Sequence, residues 1–394
     1  MNEKLCILCR GRMFCGKKCR AMNYEVRVLN STEIFGSSPP SIFVGRANYP
    51  EVRVSAAVPP VVGNTSLYDT PELWRDLRIE DVLQFRYSLV LGNFRANVKN
   101  PGSSVAEKLQ EICLYDKPVD IEVLLEKPPK PRVIFDEHHA PFGPSAPAKS
   151  LRIYSTPRSN KVVEEVYEAR DLVAVEAIKM LYEEGIPVSH IQKLLSAGAL
   201  GRKRKLVPTR WAITAVDDTI SKVIMKKVKG FEILDSYRVF MLNEKRNLFM
   251  AILLPRHWSF EWGEAWFPET TWNFGKSIAM ESDYEDYNGR ESYAKIGGCY
   301  YAARLATVEY LERIRRQATA IIWREIYPGF RVPIGVWFVR EMLRKMFSQK
   351  YFEFETLEDA IEYLKSFSKL IPQWLQQSAL LRKVKEQRTL CQFL

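Results

Sequence analysis

Apolar and polar positions alternate most clearly at Val119, Ile121, Val123 and Leu125, with Asp120 and Glu122 between them. That period of two predicts a half-buried β-strand. The short apolar runs 42–44 and 52–54 lie among Pro39, Pro40, Pro50, Pro59 and Pro60 and read as strands joined by turns. Residues 237–242 and 248–254, joined across 243–247, predict a hairpin. Helical spacing marks 161–184, stopping at Gly185, then 188–196, 215–229, and 299–326, which ends at Pro328 and Gly329. Thr70 can cap a helix that has Pro71 in its first position, and Thr356 with Asp359 resembles a capping box. Residues 373–386 continue as helix or basic linker. Trp258, Trp262 and Trp266 recur every four residues. On a helix they form one aromatic stripe, a core face if buried and a base-stacking face if exposed. Strands and helices mix without regular βα alternation, so the expected class is α+β, a mixed sheet and helices in one large body. A small four-Cys zinc module is expected at 1–22, the body at 23–380 with a subdivision near 150–160 left open, and a basic linker with a terminal peptide at 381–394.

Composition supports a packed body. Of 394 residues, 46% are hydrophobic and 12% aromatic. No apolar run is long enough to span a bilayer, and the first residues carry no apolar stretch of the export type, so a cytoplasmic protein without a membrane partner is expected. The 58 Lys and Arg exceed the 47 Asp and Glu, a net charge of +11 that favours a polyanionic partner such as DNA, with nucleoid association.

Cysteine usage adds a specific chemistry. Four of the seven cysteines fall at Cys6, Cys9, Cys15 and Cys19. An odd total without an export-type leader argues against a disulfide framework, and two close thiolate pairs suit tetrahedral Zn²⁺, one per chain. An iron–sulfur cluster is the chemical rival, but the spacing is not that of common ferredoxin runs. Lys4, Arg10, Arg12, Lys17, Lys18 and Arg20 surround the ligands. The knob either grips phosphates or serves as a clasp for the N-terminal segment.

Other polar residues suggest binding or catalysis less directly. Ser37, Ser38, Arg46 and Arg210 form a phosphate pocket if folding gathers them, the alternative being a turn with internal ion pairs. Arg202, Lys203, Arg204 and Lys205 are the densest positive run, either a DNA-backbone contact or a solvated loop. Asp217, Asp218, Glu261, Glu264 and His139 are the candidates for a metal-dependent phosphodiesterase or nucleotide-processing site, with Mg²⁺ as its cofactor. Asp217 near a helix start has a plain structural role as well. Asp136, Glu137, His138 and His139 form a local acid–histidine cluster without a metal-binding repeat. The segment Gly275-Lys-Ser277 lacks the earlier glycine of a P-loop, since Thr270 stands there.

The last eight residues read Gln387-x-x-Leu390-x-x-Phe393-Leu394. One helical turn places Leu390, Phe393 and Leu394 on one side as an apolar plug, while Gln387 reaches a side pocket. The pattern resembles the peptide by which DNA repair and replication proteins dock on the sliding clamp PCNA, with Leu394 in place of the usual second aromatic. The alternative is an amphipathic tail folded on its own domain. Several longer stretches resemble the archaeal DNA repair protein NreA family: residues 35–46 with Tyr49 and Pro50, residues 142–145, residues 207–219, and Trp262, Trp266, Thr271, Trp272 and Asn273. The likeness runs nearly end to end. It implies a repair factor that binds PCNA through its C-terminal peptide and carries a four-Cys metal module. It implies no settled reaction.

Overall fold

A computed structural model describes residues 30–131, 135–155 and 157–386. The cysteine module at 1–22, with Cys6, Cys9, Cys15 and Cys19, and the peptide carrying Gln387, Leu390, Phe393 and Leu394 lie outside the described residues. The rest is α+β, with two mixed six-stranded sheets and eleven α-helices among the described residues. It separates into two units. One comprises 30–220 with Pro333–Phe338, and the other Ser221–Val332 with 339–386. The division between them falls near 220.

The first unit is built on β1 (Glu33–Ser38), β2 (Ser41–Val44), β3 (Glu51–Val58), β4 (Val90–Asn97), β5 (Val119–Leu125) and β6 (Ser145–Ile153), in the order β1-β5-β6-β4-β3-β2. Neighbours are antiparallel except β4 and β6. The alternation in β5 does what its pattern predicts: Val119, Ile121, Val123 and Leu125 are buried while the residues between them are half-buried. Helix α1 (Ile79–Ser88) precedes β4, and α2 (Ser104–Leu114) buries Ala106, Leu109, Ile112 and Cys113 at helical spacing. The chain then forms α3 (Lys161–Glu168), α4 (Ala174–Glu183) and α5 (Val188–Ser196). Asn160 caps α3 by accepting from Val162 N at 2.9 Å. The end of β1 is fastened to the segment after β3: Ser37 N donates to Val61 O at 2.8 Å, and a Cβ on Gly36 would lie 2.0 Å from Pro59 O, so only glycine fits there.

The second unit uses β7 (Tyr237–Glu244), β8 (Asn247–Leu254), β9 (Ser259–Trp266), β10 (Ala279–Glu285), β11 (Thr319–Ile326) and β12 (Phe352–Phe354), in the order β10-β9-β11-β8-β7-β12. Only β9 and β11 run parallel. Its helices are α7 (Gly298–Ile314), most of α8 (Trp337–Met346), α9 (Leu357–Lys365), α10 (Ile371–Gln377) and α11 (Ala379–Glu386). One core joins Val239, Met250, Ile252, Ala265, Ile321 and Trp323 of the sheet to Leu364, Ile371, Trp374, Leu380 and Leu381 of the last three helices. Trp323 and Trp374 stack with centroids 5.4 Å apart and planes 8° apart. They close over Gly263, where a Cβ would meet Trp374 Cζ3 at 2.6 Å. Between α5 and α7 runs the long helix αL (Thr209–Val228), inside which the division between the units falls.

Several elements differ from the sequence reading. The expected helix 299–326 is α7 followed by strand β11. Arg315 takes a left-handed conformation with φ 53° at the helix end, and β11 is buried along its whole length, so its apolar run carries no alternation to mark it as a strand. The helix expected at 161–184 is broken into α3 and α4. Trp262 and Trp266 lie on β9 rather than a helix. A spacing of four also repeats one face of a strand, and both rings are buried, with Trp258 beside them. Pro71–Leu73 forms only a 3₁₀ turn, with no side-chain cap from Thr70. Of the two alternatives for 373–386, the helical one holds at 381–386, which belong to α11. The hairpin 237–254, helix 188–196 and the Thr356 cap are present, the last accepting from Asp359 N at 3.1 Å. Among the described residues no helix is long and apolar enough to cross a membrane.

Candidate functional site

The segment Val207-Pro-Thr-Arg-Trp211 starts αL beside the edge strand of the first sheet. Pro208 O accepts from Trp211 N at 2.7 Å and Ala212 N at 3.0 Å, opening the helix. Thr209 Oγ1 accepts the outer amide of Val44 on β2 at 2.9 Å and meets Ser196 Oγ at 3.2 Å. The helix start is thereby held against both β2 and the end of α5, and Arg210 is aimed at the loop Phe135–Phe142.

That loop carries the acid–histidine cluster. Arg210 pairs with Asp136 Oδ2 at 3.2 Å and also with Glu137. His138 N donates to Asp136 Oδ1 at 2.8 Å, and His138 Nδ1 lies 3.5 Å from both carboxylates. Burial alone would raise the Asp136 pKa. The hydrogen bond from His138 and the electrostatic influence of nearby His139, His138 and Arg210 outweigh it and hold the carboxyl well below its usual range. His139 is pushed below 6.5, chiefly by burial, against the opposing pull of Asp136. Its Nδ1 must donate to Ala140 O at 2.8 Å because a carbonyl can only accept, which leaves Nε2 as the acceptor in the neutral ring. The ring packs on Phe43 and Phe142 with centroids 5.3 and 5.2 Å away.

Two supports hold the loop in place. Val336 N donates to His138 O at 2.9 Å, and Gly335, with φ 91°, comes so near that a Cβ would lie 2.6 Å from His139 C. Arg86 of α1 is fully buried, donates to Pro141 O at 2.8 Å and lies 4.4 Å over the Phe142 ring, while pairing with Asp69. Lys193 of α5 joins Asp69 through its Oδ2 at 3.4 Å and its carbonyl at 2.7 Å. Sequence reasoning missed Arg86, Asp69 and Lys193. They meet across long chain separations, and no local spacing marks them.

Of the four residues expected to bind phosphate, three are engaged internally. Ser37 donates to Asp120 Oδ1 and accepts from Gly63 N at 2.9 Å, and Ser38 donates to Ala57 O at 2.7 Å; both are buried. Arg210 is balanced by two carboxylates, and Arg46 alone of the four is exposed. In the basic run, Arg202, Lys203 and Lys205 are exposed, whereas Arg204 donates to Tyr167 O and lies 4.6 Å over the Tyr167 ring.

The candidate catalytic residues are divided between the two units. Asp217 and His139 belong to the first unit, Glu261 and Glu264 to the second. Asp217 is fully buried and accepts from Gln192 Nε2 at 2.9 Å, while Asp218 is half-buried. Glu261 and Glu264 stand on opposite faces of β9. Glu264 pairs with Arg324 at 2.8 Å; Glu261 accepts Leu380 N at 2.8 Å at the start of α11, and burial raises its pKa against that bond. Among the described residues, no group of three or more His, Cys, Asp or Glu is placed to hold a metal ion. The acid–histidine cluster acts as an internal electrostatic clamp on the start of αL.

Comparison with known proteins covers almost the whole chain. The family described as "Archaeal Nre, N-terminal" matches residues 9–273, and "Archaeal Nre, C-terminal" matches residues 285–393. The chain is 58% identical over 392 residues to the DNA repair protein NreB of Archaeoglobus fulgidus, covering 99% of this chain and 100% of that protein. It is 35% identical to the DNA repair protein NreA of the same organism, across 90% of this chain and 92% of the relative. Against NreA of Haloferax volcanii the identity is 36%, across 84% and 83%. No solved structure matches the chain.

Proposed function

The chain belongs to the archaeal Nre family, and from that premise we propose that it is a DNA repair factor carried to DNA by the sliding clamp PCNA. Three relatives, matched over most of their own lengths, are named DNA repair proteins, which supports the repair role. The clamp tether rests on one observation: Gln387, Leu390, Phe393 and Leu394 stand at clamp-peptide spacing. That peptide begins directly after α11, whose Leu380 and Leu381 are buried and whose Lys383 pairs with Asp286 at 2.7 Å. In this reading α11 is the fixed post and 387–394 the detachable plug.

Two further parts belong to the proposal. Cys6, Cys9, Cys15 and Cys19 form a donor set suited to one Zn²⁺, which would fold the N-terminal module, and metal analysis of the intact chain is expected to return one zinc per chain. Exposed basic side chains, including Arg202, Lys203 and Lys205, contact DNA through its phosphates. The tether is tested by calorimetry of the full chain with PCNA. Replacing Leu390, Phe393 and Leu394 with Ala is expected to weaken binding by roughly 30-fold or more, since truncating a buried anchor costs about 2 kcal/mol or more. Unchanged affinity would refute the tether.

A further inference from the structure

The exposed end of the β3–β4 pair carries an arrangement that the internal packing does not explain. Arg53 of β3 stands directly across from Arg95 of β4, and both are exposed. Like charges placed opposite one another on a sheet lower its stability. Among the described residues neither arginine is paired with a carboxylate, nor is Arg46. Arg46 lies close by, because Gly45 N donates to Arg53 O at 2.7 Å. The β2–β3 turn then brings Tyr49 against Trp211 of αL, with ring centroids 5.5 Å apart and planes inclined by 48°. Tyr49 is 50% exposed and Trp211 47%. Lys205 reaches the same end of the sheet: Leu206 N donates to Val98 O at 3.0 Å, and Val98 N to Pro50 O at 3.0 Å. Two exposed aromatic rings and the basic residues Arg46, Arg53, Arg95 and Lys205 thus belong to one end of the sheet, whose acid, Glu51, is engaged by Asn97 Nδ2.

We propose that this end of the first sheet, around Tyr49, Trp211, Arg53 and Arg95, binds single-stranded DNA. The inference rests on the DNA repair reading and names the substrate class that reading leaves open. Phosphates would sit over the arginine pair and relieve its repulsion, while Trp211 and Tyr49 stack on unpaired bases. A duplex meets only half of this chemistry, since its base faces are already stacked on each other. Both rings are about half exposed, so phosphate contact alone would leave them uncovered.

The test is fluorescence anisotropy of the full chain with a short labelled oligothymidylate, across a salt series, with the matching duplex and an oligouridylate of equal length alongside. Trp211→Ala is expected to weaken single-strand binding by roughly 5- to 100-fold, and Trp211→Phe to restore most of it. Replacing Arg53 and Arg95 with Ala is expected to lower the slope of log affinity against log salt by about 1.4, two phosphate contacts at about 0.7 each. The same double variant should melt no lower than the parent, because it removes like-charge repulsion; that separates lost contact from lost folding. The inference is overturned if both variants bind the oligothymidylate as the parent does. Tighter parental binding of the duplex, unaffected by Trp211→Ala, also overturns it, as does preference for the oligouridylate. If the parent binds no oligonucleotide at all the inference falls, while retained PCNA binding leaves the repair reading standing; loss of both defeats that reading too.

Discussion

His190 offers a pH-dependent test of the scaffold behind the candidate site. It lies on α5, whose end holds Ser196 against Thr209, and its ring is buried. Nε2 donates to Cys113 O of α2 at 2.7 Å. Burial outweighs that bond and lowers the His190 pKa from 6.5 to about 4. A folded-state pKa below the unfolded value means that the unfolded chain binds the proton first. The associated stability is complete above pH 6.5, declines as pH falls toward 4, and levels below that. With 6.5 and about 4 as the two values, the loss is of order 1 kcal/mol near pH 5.5 and roughly 2 to 3 kcal/mol near pH 4.5. His190→Gln keeps a side-chain N–H for Cys113 O but removes the titration. Urea unfolding of both proteins, read by pulse deuterium labelling of peptides 104–114 and 188–196, isolates this unit. The parent should lose that much more stability than the variant between neutral pH and pH 4.5, other titrating groups cancelling in the difference. Parallel pH dependences would show that His190 titrates normally in the folded chain, and the burial argument would fail.

The electrostatic clamp at the start of αL gives a second expectation. Arg210→Met leaves Asp136 and Glu137 without their arginine, and the first unit should lose about 3 kcal/mol in urea unfolding at neutral pH. The deficit should narrow in acid as Asp136, no longer held so low, takes up a proton; a loss below about 1 kcal/mol would refute the clamp. In the second unit, Gly263→Ala drives a methyl into Trp374, which is fixed by its stack on Trp323 and by donation to Glu325 at 3.0 Å. We expect a cost of about 2 kcal/mol and a changed near-ultraviolet tryptophan signal; an unaltered melting curve would contradict the packing.

What the sequence reveals here depends on whether a pattern is local. Strand β5 shows because one of its faces is buried and the other is not, and the β7–β8 hairpin shows because a short polar turn joins two apolar runs. Strand β11 is hidden, since Ile321, Ile322 and Trp323 are all buried on both faces and no period survives. Tryptophans four apart satisfy a helix and a strand equally, so β9 could not be told from a helix by spacing. At the site, Asp136 to His139 were visible as a cluster, but not that Arg210 would neutralise the acids, a contact between residues 74 apart in the chain. Arg53 and Arg95 were silent because their meaning lies in strand register, which single-strand patterns do not carry.

The proposed tether changes how strong the DNA surface has to be. A few arginine–phosphate contacts and one or two stacked bases, like non-specific binding generally, correspond to dissociation constants of about 10⁻⁴ to 10⁻⁶ M. Free in solution at micromolar concentration, such a surface would be occupied only in part. Once a peptide following α11 is held by a ring already threaded on the duplex, the surface meets DNA at an effective concentration of order 10⁻³ M. Even the weakest of those constants then gives about 90% occupancy. Weakness in the untethered state is an advantage for a repair factor, because the rest of the genome offers the same phosphates. On this reasoning the Trp211 and Arg53/Arg95 variants should lose most of their measurable binding when PCNA is absent and much less when PCNA is loaded on the same DNA. Equal losses in both settings would mean that the ring and the DNA surface do not act through one chain.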